Sequence, residues 1–80
     1  MRITYASHAR DRMRERGISE IDVRFVLDNP QSVEDTPKDS VRFIGEPRPG
    51  RLLKVWVLPY PADSDVRRVK STAWKDVNDA

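Results

Sequence analysis

The chain has 80 residues, of which 38% are hydrophobic and 35% charged, so it can form one small domain with a thin core. It has no cysteine and one histidine, which excludes disulfides, thiolate zinc sites and multi-histidine metal centres within one chain. No apolar run approaches the roughly 20 residues of a membrane-spanning helix, and no signal peptide is recognisable. We therefore expect a cytoplasmic protein that works without a cofactor.

The formal net charge is only +2, but the basic residues are concentrated in three segments. Residues 1–16 hold five arginines against two acids, 48–60 hold three basic residues, and 65–75 hold four against one acid. If these segments meet in space, they form a positive patch suited to an anionic partner such as nucleic acid. The alternative is solvated charge distributed over the surface.

The first six residues are predicted to be a short extended lead-in. A short basic helix follows between Ser7 and Gly17. Ser7 can act as its N-cap, and Gly17 can adopt the left-handed conformation that ends a helix.

A second helix is predicted to begin after Ser19, with Asp22 completing a capping box, and to end before Pro30. Ile18 and Val23 are spaced for a hydrophobic staple. The inner stripe of this helix is predicted to contain five apolar residues: Ile21, Val23, Phe25, Val26 and Leu27.

From residue 31 onward the apolar residues alternate, which predicts strands joined by turns rich in Pro and Gly. The predicted strands are Gln31–Thr36 with Val33 inward, Val41–Ile44, Arg51–Leu58 and Val66–Trp74. In the third strand, Leu53, Val55 and Val57 face the core, opposite Lys54 and Trp56. In the last strand, Val69, Ser71 and Ala73 share one face, opposite Arg68, Lys70, Thr72 and Trp74. The tail after Lys75 is expected to fray.

This order of elements predicts a single α+β domain over residues 1–80. Two N-terminal helices would pack on a three- to four-stranded antiparallel sheet.

The candidate site is centred on the first helix, where His8, Arg12 and Arg16 are spaced i, i+4, i+8 and lie along one side. Guanidinium groups bind phosphate oxygens, and a neutral imidazole can accept a proton from a hydroxyl. The helix macrodipole and the nearby arginines both favour the neutral imidazole. The alternative is a histidine packed against the sheet and arginines that are solvated or paired with acids.

The strands offer a second group of candidate residues for the same anion-binding site. Lys54 and Lys70 would add positive charge, Thr72 would orient a phosphate, and Trp74 would stack on an exposed base. Arg51 and Arg68 are further candidates for RNA binding. Alternatively, Trp74 covers the edge of a thin core.

The run Tyr5-Ala6-Ser7-His8-Ala9-x-x-Arg12-Met13-x-x-Arg16-Gly17-Ile18 resembles the opening of a small prokaryotic family catalogued only as a domain of unknown function. The stretches Leu27-Asp28-Asn29-Pro30, Gly50-Arg51-Leu52-Leu53-Lys54-Val55 and Val69-Lys70-Ser71-Thr72-Ala73-Trp74 match later motifs of that family. The family is similar to RelE- and BrnT-like toxins, in which two helices packed on an antiparallel sheet support RNA cleavage.

The resemblance implies a type II toxin-antitoxin ribonuclease with a cognate antitoxin as partner. His8 would activate a ribose 2′-hydroxyl, Arg12 and Arg16 would hold the scissile phosphate, and Lys54 and Lys70 would steer RNA. The rival hypothesis is a non-catalytic module that binds nucleic acid or an acidic protein through the same basic helix, and a purely structural subunit is a third.

Overall fold

The computed structural model describes residues 1–75 and contains a five-stranded sheet with two short helices against one face. The elements are β1 (Arg2–Tyr5), α1 (Ala9–Arg16), α2 (Glu20–Asp28), β2 (Ser32–Thr36), β3 (Ser40–Arg48), β4 (Arg51–Val57) and β5 (Val66–Lys75). In the sheet the strands lie in the order β1-β5-β4-β3-β2. We call the face covered by the helices the inner face and the opposite one the outer face.

The predicted fold class is wrong in its topology, because the sheet is mixed and an N-terminal strand precedes the helices. β1 pairs with β5 in parallel, Arg2 opposite Val66 and Tyr5 opposite Val69, whereas the other pairings are antiparallel. Local patterns could not show this pairing, since β1 obtains its partner from the far end of the sequence. The tail after residue 75, which we expected to fray, lies outside the described residues.

α1 begins one residue later than the sequence predicts. His8, not Ser7, occupies the N-cap position, with φ of 68° and no hydrogen bond from its side chain to the helix. The turn from β1 into α1 is closed by the Ala9 amide, which donates to the Ala6 carbonyl at 3.0 Å. At the other end Gly17 has φ of 68°, as predicted, and its amide closes the last turn.

The local signals for α2 are confirmed. The Ser19 hydroxyl accepts from the Asp22 amide at 3.0 Å, and the Asp22 carboxylate accepts from the Ser19 amide at 2.9 Å. The predicted stripe is too wide, however, because Ile21 is 81% exposed and Phe25 is 43% exposed. Both lie on the side of α2 that the sheet does not cover.

The core lies between the helices and the inner face and is built mainly from β-branched and leucine side chains. Its fully buried members include Val23, Val26, Leu53, Val55, Val57 and Val69. α2 approaches β3 closely at Gly45, where a Cβ would lie 3.2 Å from the Asn29 carbonyl oxygen and 3.3 Å from Val26. Val33 points to the inner face, as Phe43 does, but is 50% exposed because no helix covers β2 there.

A β-bulge in β5 overturns the predicted alternation of the last strand. Val57 pairs with Val69 and Trp56 with Ser71, so the register leaves Lys70 as the additional residue. Beyond it the strand has changed phase: Thr72 pairs with Val55 and Trp74 with Leu53, on the inner face. Placing Thr72 and Trp74 on the same face as Arg68 was therefore wrong.

Within the part of the chain described, no helix is long and apolar enough to cross a membrane.

Candidate functional site

Two of the three aligned residues of α1 meet a strand residue in one recess. This surface depression of about 300 Å³ is lined by Ser7, His8, Ala9, Arg12, Lys70 and Ser71, and we call it the His8 recess. His8 and Arg12 come from the start of α1, and the bulge in β5 supplies Lys70. Members of the first and third basic segments are thus brought together.

The His8 recess has the electrostatic character of an anion site. Arg12 and Lys70 are fixed positive charges, Ser7 and Ser71 carry hydroxyl donors, and among residues 1–75 no acid lines the recess. Because no carboxylate of the lining competes for these cations and hydroxyl groups, they can donate hydrogen bonds to a phosphate group.

His8 itself is held in an uncommon backbone conformation and is accessible. Its φ of 68° lies in the left-handed region, which few residues other than glycine adopt. The side chain is 79% exposed, and its Nδ1 lies 3.9 Å from Asp11 Oδ2, beyond hydrogen-bond distance. An imidazole placed in this way can reach a ligand in the recess without first being released from a buried contact.

Arg16 is not part of this recess, because its side chain is used to attach α1 to β5. Its Nη1 donates to the Thr72 carbonyl oxygen, and the Trp74 indole Nε1 donates to the Arg16 carbonyl oxygen at 2.8 Å. These two hydrogen bonds fasten the last turn of α1 over the inner face.

Thr72 and Trp74 are also engaged on the inner side. Thr72 is 1% exposed, and its hydroxyl oxygen is buried without a hydrogen-bond partner in the described structure. The Trp74 ring stacks with the guanidinium groups of Arg51, 3.9 Å from the ring centroid, and Arg48, 5.4 Å away. Neither Thr72 nor Trp74 reaches the His8 recess, and Arg51 is occupied by the Trp74 ring.

The remaining cations of the predicted site lie on the outer face. Lys54 pairs in register with Ala73 and Ile44, and its Nζ is 5.6 Å from the centroid of the Trp56 ring. Arg68 is opposite Thr4 at the β1–β5 pair and contacts the Thr4 hydroxyl at 3.5 Å. The structure therefore divides the predicted site among three places: the His8 recess, the outer face and the contacts between α1 and β5 on the inner side.

A half-buried ion pair, which sequence reasoning did not identify, joins α2 to the β3–β4 hairpin. Arg48 donates to Asp22 through Nη2 at 2.7 Å and Nε at 3.2 Å, and the Asp22 side chain is 7% exposed. Burial raises the pKa of Asp22, but hydrogen bonds from Arg48 and Ser19 outweigh it and leave the pKa below its usual value. This pair stabilises the fold and lies away from the His8 recess.

Residues 1–75 contain no group of three or more His, Asp or Glu side chains placed to hold a metal ion.

The family described as Domain of unknown function (DUF4258) matches residues 5–73. The chain belongs to this family. No curated protein and no solved structure matches the DUF4258 chain. The matched range includes every residue of the His8 recess and excludes Trp74.

Proposed function

We propose that this DUF4258 protein is a toxin-type endoribonuclease that cleaves RNA without a metal ion and holds the scissile phosphate in the His8 recess. The observation that carries the proposal is the convergence of His8, Arg12 and Lys70 in one recess that no acid lines among the described residues. The similarity of the family to RelE- and BrnT-like toxins, noted from the sequence, is the second ground for the proposal.

In the proposed reaction the His8 imidazole removes the proton from a ribose 2′-hydroxyl. The 2′-oxygen then attacks the adjacent phosphorus, the bond from phosphorus to the 5′-oxygen breaks, and a 2′,3′-cyclic phosphate forms. The departing 5′-oxygen takes a proton from water, and the hydroxide so formed takes the proton from His8, which regenerates the neutral base. Arg12 and Lys70 stabilise the negative charge that accumulates on the non-bridging oxygens.

The other predicted residues take different roles in this proposal. Arg16 positions α1 and does not bind the phosphate, since its side chain is attached to β5. Lys54 and Arg68 guide RNA over the outer face. A cognate antitoxin would cover the basic surface with an acidic segment, which is the expected partner for a site of this charge.

The second candidate is an RNA-binding module without catalysis. It is favoured by the composition of the His8 recess, where, apart from His8, the described lining offers only serine, alanine, arginine and lysine. None of these side chains is a good proton donor to the leaving oxygen near neutral pH.

A cleavage assay on single-stranded RNA in the presence of EDTA tests the proposal. His8→Ala is expected to slow cleavage at least about 100-fold while leaving RNA binding within about twofold, because general-base catalysis contributes that much. Arg14→Ala is the matched control, because Arg14 is an exposed arginine of α1 outside the recess. This variant should cleave RNA at the wild-type rate.

Expression in cells gives a second readout. The wild-type protein should arrest growth, and His8→Ala should not. If the wild-type protein binds RNA but leaves it intact in both settings, the module without catalysis is correct. If His8→Ala cleaves as fast as the wild type, the assignment of His8 as the base is wrong.

A further inference from the structure

The outer face of the sheet carries an aromatic side chain in a basin large enough for a nucleotide. Trp56 points outward from the middle of β4, opposite Arg42 on β3 and Ser71 on β5. The basin around it has a volume of about 600 Å³, within the range of small-molecule sites. We call it the Trp56 basin; its lining includes Thr36, Lys38, Arg42, Trp56, Lys70 and Ser71.

The charge around Trp56 suits the phosphates that accompany a base. Lys54 Nζ is 5.6 Å from the ring centroid, and Lys38, Arg42 and Lys70 belong to the lining. Two acids, Glu34 and Asp35, also line the basin. The Glu34 carboxylate is paired with Arg42 at 2.9 Å, so these two charges offset each other. Asp35 is opposite Val41, on the inner side of β2. Lys38 and Lys70 therefore supply the positive charge of the lining. An aromatic ring among cations is the arrangement by which proteins bind single-stranded nucleic acid.

The Trp56 basin adjoins the His8 recess, because Lys70 and Ser71 line both. The bulge puts Lys70 at the boundary, next to Ser71 whose neighbour across the sheet is Trp56. A strand of RNA that places one phosphate beside His8 can therefore continue over Lys70 onto the outer face.

We propose that the Trp56 basin binds the nucleoside attached to the phosphate in the His8 recess. The base of this nucleoside stacks on the Trp56 ring, and Lys70 contacts the phosphate that connects the two sites. This inference rests on the proposed RNA substrate and assigns to Trp56 the stacking role that Trp74, covered by Arg51, does not fill. Stacking uses the π-face that every base has, so the basin selects for unpaired nucleotides rather than for one sequence.

Binding of a labelled 2′-O-methyl RNA, which cannot be cleaved by 2′-hydroxyl attack, tests the inference by fluorescence anisotropy. Trp56→Ala is expected to weaken binding about tenfold or more, and Trp56→Phe to restore it to within about threefold of the wild type. The matched control is Phe25→Ala: Phe25 is an exposed aromatic of α2 on the other side of the molecule and should leave affinity unchanged.

An abasic strand of the same length separates base stacking from attraction of the backbone. It should bind the wild type and Trp56→Ala with the same affinity, since it has no base to stack. If Trp56→Ala weakens the abasic strand as much as the intact one, or binds intact RNA like the wild type, the inference is overturned. A poly-glutamate peptide that binds with the same dependence on Trp56 would also overturn it, in favour of an acidic protein partner.

Failure of this inference can be distinguished from failure of the proposed function. Suppose that cleavage depends on His8, and that Trp56→Ala changes neither the RNA affinity nor the KM. The proposed role of the Trp56 basin is then wrong, and the proposed ribonuclease activity stands. If RNA binding depends on Trp56 but the protein never cleaves RNA, the proposed role of the Trp56 basin stands and the proposed ribonuclease activity is wrong.

Discussion

Arg16 and Trp74 show how side chains with suitable chemistry for RNA become committed to contacts within the protein. Arg16 is spaced to lie beside Arg12, yet its guanidinium is satisfied by the Thr72 carbonyl. Trp74 donates its indole N–H to Arg16 and receives the Arg51 guanidinium on its ring. The spacing of residues along a helix indicates the direction in which a side chain points, but not the residue that it contacts in the folded protein.

Thr72 provides a test at the residue scale. Thr72→Val is expected to keep or raise the free energy of unfolding, by up to about 1 kcal/mol, because it removes a buried hydroxyl without a partner in the described structure. Urea unfolding at neutral pH measures this, and RNA affinity should not change. Thr72→Ala is the control, since it leaves a cavity and should cost about 1 kcal/mol. A clear loss of RNA affinity in Thr72→Val would restore the predicted phosphate-binding role.

At the scale of elements, β5 is the strand whose structure matters most for the site. Its bulge places Lys70 at the His8 recess and returns Thr72 and Trp74 to the core. A signal was present in the sequence: Val69 and Trp74 are five positions apart, an odd spacing, so strict alternation would place them on opposite faces of the sheet. One additional residue between them resolves the conflict.

Deleting single residues from β5 tests the bulge. Deletion of Lys70 should preserve cooperative unfolding and the circular dichroism spectrum, because Val69 inward, Ser71 outward and Thr72 inward then form a regular strand. Deletion of Thr72 is the control: it would bring Ala73 inward and turn Trp74 outward, and should abolish cooperative unfolding. If both deletions unfold the protein alike, Lys70 is an ordinary member of the ladder.

The elements also show why some of the fold was predictable and some was not. α2 has its start signal, Ser19 with Asp22, and its stop, Pro30, within a few residues, so local sequence determines it. His8 and Arg12 line the same recess because they are one helical turn apart, a spacing that the local sequence shows directly. β1 carries no such signal, because its structure depends on hydrogen bonds to β5, and the meeting of Lys70 with α1 depends on the same long-range pairing.

For the whole molecule, the Asp22–Arg48 pair makes stability depend on acidity. The pKa of Asp22 is lower in the folded protein than in the unfolded chain, so its contribution is fully present above about pH 4 and is lost as pH falls through the folded value. Urea unfolding between about pH 7 and pH 3 should show a steeper loss in the wild type than in Asp22→Asn, which cannot titrate. Asp63→Asn, at an exposed loop position, should follow the wild-type curve. Parallel curves for wild type and Asp22→Asn would contradict this linkage.

The parallel pairing of β1 with β5 has a consequence for synthesis in the cell. A ribosome makes residues 2–5 before it makes their partners, Val66 to Val69, which lie near the end of the matched domain. Closing so long a loop is slow and requires β5 to be present, so β1 docks late in folding. A nascent chain therefore holds His8 and Arg12 without Lys70, and the His8 recess is assembled only after β5 has left the ribosome.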